Sequence, residues 1–186
     1  MSTSSYHHGD LRRVLLSAAE RMIDADVRRE FSLRELAREA GVSHAAPYKH
    51  FPDRAGLVDA LAVRWMTDFV SAQETAATGT DAGTDLLEVG VAYVRWAADH
   101  PSRFSVIFDP AVNQGTGRGQ LAAQASRHAA LLTSLVTAAV DAGALTGPVE
   151  VAAQHLWATA HGLANLVVLG HVLVEDVPRT LSAALS

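Results

Sequence analysis

The sequence predicts an all-α chain of two unequal helical units, residues 1–60 and 61–186. Three observations lead there. Apolar residues recur at helical spacing in one segment after another, with Gly and Pro falling between the segments. At 186 residues the chain is long enough for a small domain plus a larger one. At residues 32–51, SLRELAREAGVSHAAPYKHF, two short helical patterns meet at a turn, Ala40-Gly41-Val42.

That stretch carries most of the information. Ser32 is placed to accept from the free N–H groups of an opening helical turn, and Glu35 three residues on completes a capping box. Leu33, Leu36, Ala37 and Ala40 share one helical face, opposite Arg34, Glu35, Arg38 and Glu39. Gly41 supplies the positive φ of a tight helix stop, and Val42 plugs the core. Ser43 then caps a second helix that carries His44, Ala45, Ala46, Tyr48, Lys49 and His50. A helix so short and donor-rich is poorly suited to a core, and its small residues admit it to a major groove about 12 Å wide. The pattern reads as a helix-turn-helix that reads DNA, with Ser32, Ser43, His44, Ala45, Ala46, Tyr48, Lys49 and His50 as candidate DNA-binding residues. Side chains as small as Ala45 and Ala46 suit thymine methyls and shape readout. Pro47 is tolerated in a helix only near its first turn, where backbone N–H groups lack intrahelical partners.

On either side lie the supports. Residues 10–26 place Leu11, Val14, Leu15, Ala18, Ala19, Met22 and Ile23 on one stripe, with Asp10 at the helix start. Ahead of it, Tyr6-His7-His8-Gly9 could lie along a duplex while Arg12 and Arg13 reach phosphate, or the whole could be a solvated tail. Phe51-Pro52-Asp53 closes the second short helix, and Asp53 caps a long one running to about Gln73. Leu57, Val58, Leu61, Ala62 and Trp65 anchor it in the small unit, whereas Met66, Phe69 and Val70 face the larger. One helix thus spans both units.

The order and spacing of these elements, with Tyr48-Lys49-His50-Phe51 and Pro52-Asp53-Arg54-Ala55-Gly56-Leu57, resemble the DNA-binding domain of the TetR family of transcriptional regulators. The resemblance implies phosphate contacts from Tyr48, Lys49, His50 and Arg54, and a homodimeric repressor released from a palindromic operator by a small-molecule effector, with a non-catalytic helical dimerising scaffold or an activator as the alternatives. Trp157, His161 and Gly162, together with the HHGDLR opening, also resemble the W-H-G signature of the C-terminal domain in one subgroup.

The larger unit begins after a small, polar loop at 75–84. Leu86 to Asp99 is a helix stopped by His100-Pro101, and Pro101-Ser102 opens a brief helix from Arg103 to Asp109. The glycine-dense run 114–119 is a loop that lacks the preceding strand and the Lys-Ser/Thr pair of a phosphate loop. Two long helices are expected to finish the chain, from about Leu121 to Ala142 and from about Val149 to Val174. The last has no charged residue between Glu150 and Glu175, yet Gln154, His155, His161, Asn165 and His171 and its acidic flanks argue against a membrane span.

A helix apolar nearly all round must be covered on most sides. A second copy of the chain is the expected cover, with Leu132, Leu135, Ala139, Ala160, Leu163, Ala164, Val167, Gly170 and Val174 as candidate dimer-interface residues. Two-fold symmetry would set paired reading heads about 34 Å apart, on successive major grooves. Tyr93, Trp96, Phe104, Phe108 and Trp157 gather in the same unit as candidate pocket walls, with Arg103, His161 and Asn165 as polar handles. The same set would also serve as ordinary core.

Composition narrows the classes. With 49% hydrophobic and 19% charged residues the chain is globular. It has no cysteine, which removes disulfides, thiol nucleophiles and cysteine metal sites, and with no signal-peptide run a cytoplasmic home is expected. The net charge of −5 resides wholly in residues 61–186, since residues 1–60 hold nine Lys/Arg against nine Asp/Glu. No HExxH, nucleophile-elbow or dinucleotide pattern occurs among its residues, so neither catalysis, a metal nor a cofactor is expected. The expected partners are double-stranded DNA, a second copy and a small-molecule effector, with no membrane.

Overall fold

The computed structural model describes residues 4–27, 30–79, 81–112 and 118–185, with side chains from Leu11 onward except that of Arg118. The side chains of Tyr6, His7 and His8 and the loop residues 114–117 lie outside that description. Eight α-helices are present among the described residues, and no strand: α1 (Ser4–Ala25), α2 (Leu33–Glu39), α3 (Arg54–Ala76), α4 (Ala82–Asp99), α5 (Pro101–Ile107), α6 (Arg118–Asp141), α7 (Val149–Val168) and α8 (Val177–Ala184). No described helix is long and apolar enough to cross a membrane.

The local signals in the small unit act as their chemistry requires. The Ser32 hydroxyl accepts from the Glu35 N–H at 3.2 Å, and the Glu35 carboxylate accepts from the Ser32 N–H at 2.8 Å, so the capping box closes α2 from both sides. Its far end is closed by Gly41, at φ 67°, which lets the Val42 N–H reach back to the Ala37 carbonyl at 2.9 Å. Asp53 caps α3 by accepting from the Gly56 N–H at 2.8 Å.

α3 is the axis of the molecule. Leu57, Leu61, Ala62, Trp65, Phe69 and Val70 are fully buried, and they join the α1–α2 side to α4 and α5 in one continuous core. A second, smaller cluster of Leu86, Val136, Ala139 and Ala153 ties α4, α6 and α7 together at the far end. The Arg127 guanidinium of α6 grips the Glu74 carboxylate of α3, fastening the last turns of the axis.

Four expectations change. α1 begins at Ser4, so Asp10 lies within it rather than at its start. The second short helix is not an α-helix: residues 44–46 form a turn, and only Pro47–Lys49 are helical, in a single 3-10 turn. Pro47 occupies its first position, because a proline ring deeper in a helix would clash with the preceding turn. Ser43 contributes its carbonyl, which accepts from the Ala46 N–H at 2.9 Å, rather than a side-chain cap.

The other two changes lie at the C-terminal end. α7 stops at Val168, where Gly170 takes φ 75° and the His171 N–H turns back to the Leu166 carbonyl at 2.8 Å. After a 3-10 turn at Val174–Asp176 comes α8, an element the long-helix reading missed, which buries Val177 and Leu181. The stripe expected to meet a second copy is also turned inward. Ala160, Leu163 and Ala164 are buried in the main core and Ala139 in the smaller one. Leu132, Leu135 and Val167 are half-buried against the same clusters, Val174 is half-buried in the 3-10 turn, and Gly170 is exposed beyond the helix end.

Candidate nucleic-acid interface and interior pocket

At one end of the molecule, the turn and the 3-10 segment present Ser43, His44, Ala45, Tyr48 and Lys49 to solvent, with Ser32 exposed beside them at the head of α2. Tyr48 is 52% exposed although most of its surface is apolar, a position that internal packing does not explain. His50 is half-buried. Ala46 is the correction in this set: it is 7% exposed and packs inward, so it has no face for a base.

Cations frame this surface. Arg54 stands at the first position of α3 and stacks over the Phe31 ring at 5.0 Å, which holds it in place. Arg12 of α1 lies over the Phe51 ring at 5.4 Å. These stacks orient two guanidiniums without neutralising them, and both remain available to an anion.

At the other end, an aromatic cluster forms around Phe69. Tyr93 and Trp96 meet it edge-on at 4.7 and 5.1 Å, Phe108 at 5.9 Å and Phe104 at 6.3 Å. His161 of α7 joins from the opposite side, 4.7 Å from Phe108 and 5.4 Å from Phe104. The Tyr93 hydroxyl lies 2.7 Å from His161 Nδ1. Burial raises the Tyr93 pKa, so the phenol keeps its proton, and burial lowers that of His161, so the ring is neutral.

Cavities adjoin this cluster. A cleft of about 480 Å³ opens between α6 and α7, with Met66, Phe108, His128, Leu132 and Trp157 among its walls. A narrow cavity of about 40 Å³ lies deeper, bounded by Gln73, Tyr93, His128, Leu132 and Trp157 among others. Further along α7 an open groove of about 550 Å³ is lined by Phe104, Phe108, His161 and Asn165 among others. Of the pocket residues expected from sequence, Tyr93, Phe104, Phe108, Trp157 and His161 converge. Trp96 is 9% exposed and packs between Phe69 and His100 as core. Asn165 is exposed at the groove's edge and its amide donates to the His161 carbonyl at 2.8 Å.

Arg103 is the second correction. Its guanidinium leaves the pocket side and forks onto the Asp24 carboxylate at 3.2 and 2.7 Å, with Glu20 at 3.5 Å and the Trp65 ring beneath at 5.6 Å. Asp24 raises its pKa further above the ordinary arginine value. Glu20, 8% exposed, also accepts from Trp65 Nε1 at 2.8 Å and from Arg64 at 3.2 Å. α1, α3 and α5 are thereby bound in one charged network.

Sequence reasoning missed Gln73 and His128. Gln73 is fully buried, its Nε2 donating to the Phe69 carbonyl at 3.0 Å and its Oε1 unpartnered. His128 lies about 6 Å from Phe69 and Tyr93, with neither ring nitrogen partnered. The signal was present as a polar residue in an apolar register: Gln73 follows Met66, Phe69 and Val70 on the buried face of α3, and His128 falls between Leu121 and Leu132 on that of α6. Among the described residues no group of three metal-ligating side chains assembles.

Exposed donors on a helix-turn-helix at one end of a long axis, and an aromatic interior at the other, define the architecture of a DNA-binding regulator. Comparison with known proteins gives the family. Residues 15–61 match the model for bacterial regulatory proteins of the tetR family, and residues 86–186 match that of a tetracyclin repressor-like C-terminal domain. A Rhodococcus sp. RHA1 protein of unknown function is 35% identical and superposes with a TM-score of 0.82, over 98% of this chain and 96% of its own. The TetR family transcriptional regulator PfmR of Thermus thermophilus is 19% identical (TM-score 0.69, 90% and 94% covered). FadR of Bacillus subtilis, solved in complex with stearoyl-CoA, is 16% identical (TM-score 0.72, 94% and 97% covered). No curated protein matches. The chain belongs to the TetR family of transcriptional regulators, with a DNA-binding helix-turn-helix domain followed by a tetracyclin repressor-like C-terminal domain.

Proposed function

We propose that this protein is a homodimeric repressor that holds a palindromic operator through residues 43–50 and releases it when a small molecule enters the C-terminal unit. The observation that carries the coupling is the position of α5. Phe104 and Phe108 on this seven-residue helix and its cap meet the aromatic cluster, while Arg103 on the same helix is clamped to Asp24 of α1. A ligand that displaces the two rings shifts the clamp. The DNA-competent arrangement is then disfavoured in proportion to the ligand's preference for the other state.

Dimerisation is supported by the outward face of α7. Apart from Tyr48, the exposed large apolar residues among those described are Val151, Trp157, Leu166, Val168, Leu169 and Leu173. Gly162 lies on the same face, and a Cβ there would meet nothing within 4 Å, so its own chain gives no reason for a glycine in mid-helix. A second α7 approaching closely at that point gives one. The opposing face of α6 is small and polar at Ser126, Ala130, Ser134 and Thr137, which suits an antiparallel four-helix contact.

At the DNA, Tyr48, Lys49 and Arg54 would bind phosphate, and His44 and Ala45 would face base edges. The test is selection of bound duplexes from a random pool at about 0.1 M salt, where phosphate attraction is already substantially screened. Enrichment of a palindrome is the expected result. Failure to enrich any sequence, with fold and dimer intact, overturns the reading.

A further inference from the structure

Fully buried Gln73 and half-buried His128 each hold buried polar atoms with nothing to bond, Gln73 Oε1 and both His128 ring nitrogens. The Gln73 amide donates from Nε2 to the Phe69 carbonyl at 3.0 Å, which fixes its orientation, so the orphan Oε1 is an acceptor. Burial lowers the His128 pKa and keeps the ring neutral, with one nitrogen a donor and the other an acceptor, neither used. Both residues bound the same 40 Å³ cavity. His128, Leu132 and Trp157 are shared with the 480 Å³ cleft, so the small cavity adjoins it, and Gln73 and His128 are polar points in a largely apolar space. Neither space has a Lys or Arg in its lining, and Glu150 stands at the cleft.

Buried polar groups in native proteins are rarely left unpaired, and those that are point to a missing partner. Here the partner must supply a donor to Gln73 and complement a neutral imidazole, in a space about the size of one hydroxyl or one water. Granting the effector pocket proposed above, we infer that the effector is an uncharged molecule with an apolar body and a hydroxyl-type head, which donates to Gln73 Oε1 and engages the His128 ring. An anionic head is excluded by chemistry: it would bring a second acceptor to Oε1 with no cation to neutralise it.

Three probes of one shape separate the possibilities: 2-naphthol, naphthalene and 2-naphthoate, titrated calorimetrically into the full-length protein without DNA. The expected order is 2-naphthol tightest, by about 5- to 10-fold over naphthalene, the worth of one hydrogen bond, with 2-naphthoate weakest. Gln73→Met and His128→Phe, which keep volume, should each bring 2-naphthol to within about twofold of naphthalene while naphthalene binding persists. The inference is overturned if 2-naphthoate binds best, if 2-naphthol shows no advantage because a resident water already fills the cavity, if both variants keep the advantage, or if no probe binds up to its solubility limit. Operator binding by the same samples separates this result from the regulator reading. A protein that discriminates the probes but selects no DNA loses the proposed function and keeps the pocket chemistry. One that selects DNA but ignores the head group does the reverse.

Discussion

The two ends of α3 solve opposite problems. Around its N-terminus the backbone hydrogen bonds are closed by short-range sequence: a capping box, a glycine stop and an Asp cap hold α2 and α3, the large apolar groups are inside except Tyr48, and Arg54 Nε is a buried side-chain atom that stays unpartnered. Around its C-terminus the clefts are open, Gln73 Oε1 and the His128 ring nitrogens lack partners, and α7 leaves a row of large apolar side chains in water. A unit that must present one surface in one geometry benefits from rigidity. A unit that must respond to something benefits from incompleteness, because only unmet valence and unfilled space give a ligand differential affinity between two states.

The severest way to break the comparison is to remove the need that α7 expresses. The pair Gly162→Glu and Leu166→Glu should give folded monomers by sedimentation, since neither side chain is in the core, and palindrome affinity should drop by about 100-fold or more through loss of bivalency. An unchanged dimer would place the interface elsewhere. Next in size is the rigid end. Lys49→Ala should weaken operator binding by about 10-fold with its fold intact by circular dichroism, and reduce the salt dependence by about one phosphate contact. Unaltered salt dependence would remove Lys49 from the interface.

The link between the ends is sharpened by Arg103→Met, which frees Asp24 and leaves Glu20 with its Arg64 and Trp65 bonds. A loss of about 1 kcal/mol in denaturant unfolding is expected for this partly exposed pair. Operator affinity should stay near wild type while effector-driven release is blunted, and full release would show that α5 does not transmit.

The smallest effect concerns pH. His128 and His161 have folded pKa values pushed by burial below the ordinary 6.5, so below that pH the unfolded chain takes up protons that the folded chain resists. Their contribution is fully present above about pH 6.5 and is lost as pH falls from there through the folded values. The thermal midpoint should therefore be level near neutrality and decline in mild acid, less steeply in His128→Phe. An identical decline in that variant would assign the effect to other groups.

Much of this was legible in the chain. Ser32, Glu35, Gly41 and Asp53 act through backbone atoms within three or four residues, so their spacing alone determined α2, its stop and the start of α3. Periodicity likewise gave the two-unit helical plan and the aromatic residues that converge on Phe69. Tertiary structure decided the rest. Whether Ala160 and Leu163 face a second copy or their own α4 depends on which neighbour arrives, and an apolar stripe is equally suited to both. Arg103 lies among aromatic residues in sequence, yet its reach to Asp24, 79 residues away, is a property of how α5 lies on α1. The orphaned state of Gln73 and His128 belongs to the same class: a side chain's chemistry is written in the sequence, but the absence of a partner is known only once every neighbour has been placed.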